Sequence, residues 1–122
     1  MSGVDGRLLD YLSHIEQAIA RIETYAGKAT KEDFLGDQLL QDAIVRNLEI
    51  VGEASRNILR RYPDFAETNS NLPLKSAYEM RNALAHGYFE VDLDIVWQTI
   101  VGDLSSFARQ ISNIRDGLGG NH

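Results

Sequence analysis

The segment DQLLQDAIVRNLEIVGEASRNILRR, residues 37–61, has the apolar period of an amphipathic α-helix. Its apolar positions share one face of that helix and include Leu40, Ile44, Leu48, Val51 and Ile58. Asp37 is a suitable N-cap, and Pro63 disfavours helix beyond Arg61–Tyr62. We therefore expect one long helix that buries one face and exposes the other.

The same period occurs before this segment. A stripe that steps by 4, 3, 4, 3 and 4 residues predicts a first helix, and its members are Leu8, Leu12, Ile15, Ile19, Ile22 and Ala26. Gly27 stands where a left-handed residue would end that helix. Thr30 and Asp33 resemble a capping box, which predicts a short helical turn before Gly36.

Two more helices are predicted after the long segment. Residues 63–72 are polar and rich in turn formers, so we expect a loop. Pro73 suits the first turn of a third helix that runs to about Ala85, with Gly87 just past its end. Asp92 can cap a fourth helix, whose apolar stripe is Leu93, Val96, Ile100, Leu104, Phe107, Ile111, Ile114 and Leu118.

Long amphipathic helices with short connections predict an all-α fold, an antiparallel bundle of four to five helices. The 122 residues fit one domain, which we place at residues 1–118, followed by a flexible tail at 119–122. Gly52 lies in mid-helix beside Ala54 and Ser55, at a cost of about 1 kcal/mol relative to alanine. This indicates close approach of another helix, and it is compatible with a homodimer.

Composition and missing motifs exclude several classes of site. The chain has no Cys, no His-Glu-x-x-His and no Glu-x-x-His, so we expect no metal and no cofactor. Phosphate-binding glycine loops and a nucleophile elbow are also missing. No stretch approaches 18 apolar residues, and no signal sequence is visible at the N-terminus. We therefore expect a cytoplasmic protein with no membrane association.

The formal net charge of −6 disfavours a broad, sequence-independent grip on nucleic acid. The acidity is uneven, because residues 46–81 carry six bases and five acids. The charge distribution therefore favours a small local cleft for a polyanion within that segment.

The strongest chemical pattern lies between Arg81 and Tyr88. Arg81 offers a planar fork of donors that matches phosphate oxygens, and His86 can move a proton near neutral pH. Asn82 lies one helical turn before His86, and Tyr88 follows it closely. This set suits metal-independent cleavage of RNA, whose 2′-hydroxyl is a built-in nucleophile. One histidine is a single acid–base group, so two motifs that meet across a dimer axis would supply a pair.

Each of these residues also has a purely structural interpretation. Arg81 can pair with Glu49 or Glu53 of the long helix, while His86 caps its own helix and Tyr88 packs at the edge of the core. The charged row Arg46, Glu49, Glu53, Arg56 and Arg60 is either a solvated face of ion pairs or, through Arg46 and Glu53, the lining of a dimer cleft. We assign Trp97 to packing and His14 to no role.

Arg81-x4-His86-x-Tyr88 resembles the Arg-x4-His-x-Tyr motif of the HepT-like ribonuclease toxins in the HEPN superfamily. Three further segments are similar to that family in the same order, at residues 46–54, 80–86 and 88–100. The resemblance implies a HEPN bundle of four to five helices that dimerises, so that two motifs form one cleft.

The same resemblance implies a function and a set of roles. The activity would be that of a metal-independent endoribonuclease toxin, of a type VII-like toxin–antitoxin system, acting on mRNA or tRNA. Arg81 and His86 would be catalytic, supported by Asn82, Arg46 and Glu53. The partner would be an MntA-type nucleotidyltransferase antitoxin that transfers AMP to Tyr88. The alternative is a non-catalytic HEPN module that binds nucleotide or serves as a scaffold for a nucleotidyltransferase.

Overall fold

The computed structural model describes residues 6–85 and 92–119, without the side chains of residues 85, 118 and 119. Within these ranges the chain is all-α and contains no strand, which confirms the predicted fold class. In chain order the helices are α1 (Gly6–Ala26), α2 (Lys31–Leu35), α3 (Gln38–Arg61), α4 (Pro63–Thr68), α5 (Leu74–Ala85), α6 (Leu93–Gly102) and α7 (Leu104–Gly119).

Helix α3 is at the centre of the fold, because α1 and α5 both pack along it. The contacts of α1 show that it runs antiparallel to α3. Tyr11, near the start of α1, lies against Tyr62 at the end of α3, with ring centroids 6.5 Å apart. Arg21, late in α1, donates from Nη1 to Asn47 Oδ1 at 3.4 Å. Helix α7 in turn packs on α1.

The predicted apolar stripes form one core. All six stripe residues of α1 are buried, as are Ile44, Leu48, Val51 and Ile58 of α3. The stripe of the fourth predicted helix is buried at Val96, Ile100, Leu104, Phe107 and Ile111. Trp97 stacks on Phe34 of α2, with ring centroids 5.4 Å apart, so its predicted role in packing is confirmed.

Helix ends follow the predicted capping residues. Thr30 and Asp33 form a reciprocal capping box at the start of α2, at 3.1 Å and 3.0 Å. Asp37 accepts a hydrogen bond from the Leu40 amide at 3.0 Å. Gly27 has φ of 45°, a left-handed conformation that glycine adopts without steric cost and that ends α1.

Two predictions about the helices were wrong. Residues 63–72 are not all loop, because Pro63 occupies the first turn of α4, where its missing N–H and its fixed φ are favourable. The predicted fourth helix is two helices, α6 and α7, with Asp103 between them. Gly102 and Asp103 are both weak helix formers, which the apolar period around them does not reveal.

The close approach predicted at Gly52 occurs within one chain. A Cβ atom added to Gly52 would lie 2.7 Å from the carbonyl oxygen of Ala77 and would overlap the Cβ and Cγ atoms of Arg81. Glycine at position 52 therefore lets α5 rest directly on α3. The homodimer stays a prediction, since this contact is already occupied by α5 of the same chain.

Two further predictions concern the whole chain. No helix in residues 6–85 or 92–119 has the length and apolarity needed to cross a bilayer. The division into a domain at residues 1–118 and a tail at 119–122 stays a prediction, because residues 120–122 lie outside the described ranges.

We expect Gly52→Ala to destabilise the protein by about 1–3 kcal/mol, because the added methyl group would force α5 away from α3. This loss exceeds the gain of about 1 kcal/mol in helix propensity that alanine brings. Urea denaturation followed by circular dichroism measures the difference in the free energy of unfolding.

The matched control is Gly117→Ala in α7, where an added Cβ has nothing within 4 Å. This variant should be as stable as the unmodified chain or slightly more stable. A Gly52→Ala protein that unfolds at the same urea concentration as the control would contradict the tight contact between α3 and α5.

Candidate functional site

Arg81 lies on the face of α5 that packs on α3. The stem of its side chain crosses Gly52, and its guanidinium reaches Glu53 of α3, with Nε 3.3 Å from Oε1. The side chain is 31% exposed, so it is held by the protein yet remains accessible to solvent. The glycine thus sets the position of the arginine.

Glu53 lies between two arginines. Its Oε1 faces Arg81, and its Oε2 is 3.6 Å from Arg56 Nη1. Oε1 is buried without a hydrogen-bond partner in the described structure, so its contact with Arg81 is an ion pair that is not aligned as a hydrogen bond. With Glu53 44% exposed, such a pair contributes little to stability. It can, however, restrain the direction of the guanidinium.

Asn82 supplies the aligned contact. Its Oδ1 accepts a hydrogen bond from Arg81 Nη1 at 3.0 Å. Hydrogen bonds from Asn82, and then from Arg56, lower the pKa of Tyr78, one turn earlier on α5, below its ordinary value of 10.0. A bond with that effect is one donated to the phenol oxygen, because it stabilises the phenolate. Asn82 therefore accepts from Arg81 and donates to Tyr78.

These contacts do not saturate Arg81. A guanidinium has five N–H donors, and within residues 6–85 and 92–119 the contacts with Glu53 and Asn82 account for two of them. The ion pair with Glu53 that the structural interpretation of Arg81 predicted is therefore present. It leaves the arginine able to bind an anion as well.

Arg81 faces a polar cleft of about 390 Å³ that three helices form. Helix α3 is the floor, α5 supplies Arg81, and α1 supplies Tyr11 and His14. The floor residues are Arg46, Glu49, Ile50, Glu53, Ala54 and Asn57. A larger cavity of about 470 Å³ lies between α5 and α7, is mainly apolar, and includes none of the predicted site residues.

The structure brings most of the predicted site together. Arg46, Glu53 and Arg81 line the cleft, and Asn82 bonds to Arg81 beside it. His86 and Tyr88 lie outside the described residues. In the charged row on α3, Glu53 pairs with Arg56, and Arg46, Glu49 and Glu53 line this cleft of the single chain, while the lining of a dimer cleft stays a prediction. The catalytic and supporting roles stay predictions.

Three polar lining residues were missed from the sequence: Tyr11, His14 and Asn57. Tyr11 and His14 are three residues apart at the border of the apolar stripe of α1, which is the position that turns toward a neighbouring helix. That placement was visible in the sequence, but which helix would lie opposite was not. Among the described residues, no three His, Cys, Asp or Glu side chains form a group suited to a metal ion.

We expect Tyr78 to ionise below pH 10.0 because Asn82 and Arg56 donate to its oxygen. The ultraviolet difference titration between the unmodified chain and Tyr78→Phe isolates this tyrosine. Asn82→Ala should raise its midpoint, while Asn57→Ala, which removes a cleft amide that does not bond to Tyr78, should leave it unchanged. A midpoint unaffected by Asn82→Ala would contradict the arrangement described for Arg81, Asn82 and Tyr78.

Comparisons with known proteins place the chain in a family. The family model for Ribonuclease HepT-like proteins matches residues 15–114. The chain is 39% identical to a "Probable ribonuclease HepT" of Thermococcus cleftensis over 87% of this chain and 94% of the relative. It is 36% identical to a "Putative RNase" of Caldanaerobacter subterraneus, over 85% of this chain and 90% of the relative.

A longer relative from Methanocaldococcus jannaschii, named "Gamma-glutamylcyclotransferase and putative RNase", is 37% identical over 88% of this chain, which spans only 47% of that protein. No solved structure matches the chain. The family match covers α2–α6 completely and parts of α1 and α7, and it includes every cleft residue except Tyr11 and His14, which precede residue 15. This chain belongs to the HepT-like ribonuclease family.

Proposed function

We propose that this protein is a metal-independent endoribonuclease, the toxin of a type VII-like toxin–antitoxin system that cleaves cellular mRNA or tRNA. Family membership supports the reaction class, since the relatives are named as ribonucleases. The observation that carries the proposal is the position of Arg81. It rests on Gly52, bonds to Asn82, and faces a cleft large enough for part of an RNA strand.

The arginine is suited to the charge that develops in phosphodiester cleavage. The 2′-oxygen attacks phosphorus, the bond from phosphorus to the 5′-oxygen breaks, and negative charge builds on the non-bridging oxygens. Arg81 is the group that stabilises this charge through its planar fork. Because Asn82 and Glu53 hold the guanidinium before RNA arrives, little reorganisation is needed when the charge forms.

His86 is the proposed acid–base residue. The attacking 2′-hydroxyl loses a proton and the leaving 5′-oxygen gains one, so the reaction needs a base and an acid. The motif of one chain contains a single histidine. We therefore include a homodimer in the proposal, in which His86 of one protomer accepts the proton and the partner's His86 supplies the other.

Tyr88 is the proposed site of regulation. An MntA-type nucleotidyltransferase antitoxin would transfer AMP from ATP: the tyrosine oxygen attacks the α-phosphorus, its proton is lost, and pyrophosphate leaves. The resulting phosphodiester lies seven residues from Arg81 in the sequence. It is an anion of the same kind as the substrate, so it would compete for the arginine and block RNA. This regulation places both proteins in the cytoplasm.

A non-catalytic HEPN module is the second candidate, because the ion pair between Arg81 and Glu53 exists without RNA. Such a module would bind nucleotide or a nucleotidyltransferase in the same cleft and cleave nothing. Cleavage assays distinguish the two functions.

We expect purified protein to cleave RNA in the presence of EDTA, and Arg81→Ala and His86→Ala each to lose at least 100-fold in rate. Arg81→Ala keeps the Cβ that packs over Gly52, so its fold should be retained. Gel analysis of labelled cellular RNA measures the rates, and circular dichroism checks the fold.

Lys75→Ala is the matched control, because it removes an exposed cation from the same helix outside the cleft. It should cleave at the unmodified rate. Full activity in His86→Ala would refute the assigned chemistry, and RNA or nucleotide binding without cleavage at any concentration would favour the non-catalytic module.

Co-expression with the nucleotidyltransferase antitoxin should add AMP to Tyr88, seen as added mass on the tryptic peptide that contains it. Tyr88→Phe should remain unmodified. Tyr78→Phe is the control, since Tyr78 also lies close to Arg81 and should not be the acceptor. Modification of Tyr78, or of neither tyrosine, would contradict this mode of regulation.

A further inference from the structure

The cleft includes an exposed imidazole from a helix outside the motif. His14 and Tyr11 of α1 line the same cavity as Arg46 and Arg81. This was not expected from the sequence, where His14 has no charged motif around it. An exposed histidine on a helix is ordinarily a solvated side chain, so its position in the cleft and the contacts around it decide whether it has a function.

His14 lines the same cleft as the two arginines, and the contacts of α1 show at which end of α3 it lies. Tyr11 lies against Tyr62, so α1 enters the cleft from the C-terminal end of α3, where Asn57 is the last floor residue. Arg81 contacts α3 at Glu53, about 6 Å from the level of Asn57 by helical rise. Arg46 lies further along, about 10 Å beyond Glu53. His14, one turn after Tyr11, therefore lies nearer the C-terminal end of α3 than Arg46 does.

The ring of His14 packs against the ring of Tyr11, which in turn packs against the ring of Tyr62. Tyr11 meets His14 edge to face, with centroids 6.5 Å apart and planes at 68°. Tyr11 meets Tyr62 in the same way, at 6.5 Å and 64°. Edge-to-face pairs of this kind have a preferred geometry. His14 is therefore exposed to solvent but packs against a neighbouring ring of the cleft lining.

The charges of the cleft show why an additional donor matters. The lining includes two arginines, Arg46 and Arg81, and two glutamates, Glu49 and Glu53, so these four charges cancel. The binding of a polyanion in this cleft then depends more on individually placed hydrogen-bond donors than on a positive electrostatic potential. Among the described lining residues, His14 adds a ring N–H that can be donated to a phosphate oxygen.

We propose that His14 is a substrate-binding residue, which binds the phosphate of single-stranded RNA next to the phosphate held by Arg81. His14 takes no part in proton transfer. This inference rests on the proposed ribonuclease function for its substrate, and it extends the site from α3 and α5 to α1.

The test compares the unmodified chain with His14→Gln, which keeps a polar side chain of similar size and removes the imidazole. The probe is a fluorescein-labelled oligonucleotide of mixed sequence, as RNA for cleavage and in the 2′-O-methyl form, which cannot cleave itself, for binding by anisotropy. We expect His14→Gln to raise KM and the dissociation constant about tenfold, with kcat within twofold. Thermal unfolding should be unchanged, because the side chain is exposed.

Lys28→Gln is the control for general attraction, because it removes a positive charge from an exposed residue outside the cleft. Neither constant should change in this variant. The inference is overturned if His14→Gln binds the 2′-O-methyl strand as tightly as the unmodified chain, or if kcat falls while KM and binding stay the same.

The two proposals can fail separately. If the unmodified chain cleaves no RNA but binds the 2′-O-methyl strand, and His14→Gln still weakens that binding, the ribonuclease function fails and the role of His14 stands. If cleavage depends on Arg81 and His86 but is indifferent to His14, the ribonuclease function stands and the role of His14 fails.

Discussion

The contact of α5 with α3 at Gly52 is the constraint on which the site depends. Because residue 52 has no side chain, the stem of Arg81 crosses α3 directly, and the guanidinium arrives beside Glu53. Asn82, the next residue on α5, then fixes the guanidinium through an aligned hydrogen bond. The glycine between these two packed helices therefore has a functional consequence. It determines the position of Arg81, which is the one Arg or Lys in residues 81–88.

Helix α3 connects this contact to the rest of the cleft. It buries one face among the core side chains and presents another, from Arg46 to Asn57, as a polar floor. Two arginines and two glutamates line the whole cleft, so an acidic protein, with a net charge of −6, can still have a place for a phosphate. The attraction is local, because Glu53 and Asn82 hold Arg81 in position, and it does not require a basic surface.

Periodicity and capping residues were sufficient to predict the main helices, because both are local properties of the chain. They did not predict that helix α4 begins at Pro63. They also did not predict the break at Asp103 between α6 and α7, because the apolar stripe continues through it. The small residue at position 52 indicated a close approach, but the sequence could not say that its partner was α5 of the same chain. Likewise the motif identified Arg81, whereas His14 entered the cleft only through the packing of α1 on α3, a long-range arrangement that spacing along the chain does not encode.

The central claim is that the close contact at Gly52 positions Arg81 for RNA cleavage. Its most direct test is the single-turnover cleavage rate of Gly52→Ala, measured under conditions where circular dichroism shows this variant to be fully folded. A displacement of about 1 Å in a catalytic group can cost about 100-fold in rate. The account predicts a rate at least tenfold below that of the folded, unmodified chain at saturating RNA. A folded Gly52→Ala protein that cleaves at the full rate would contradict it.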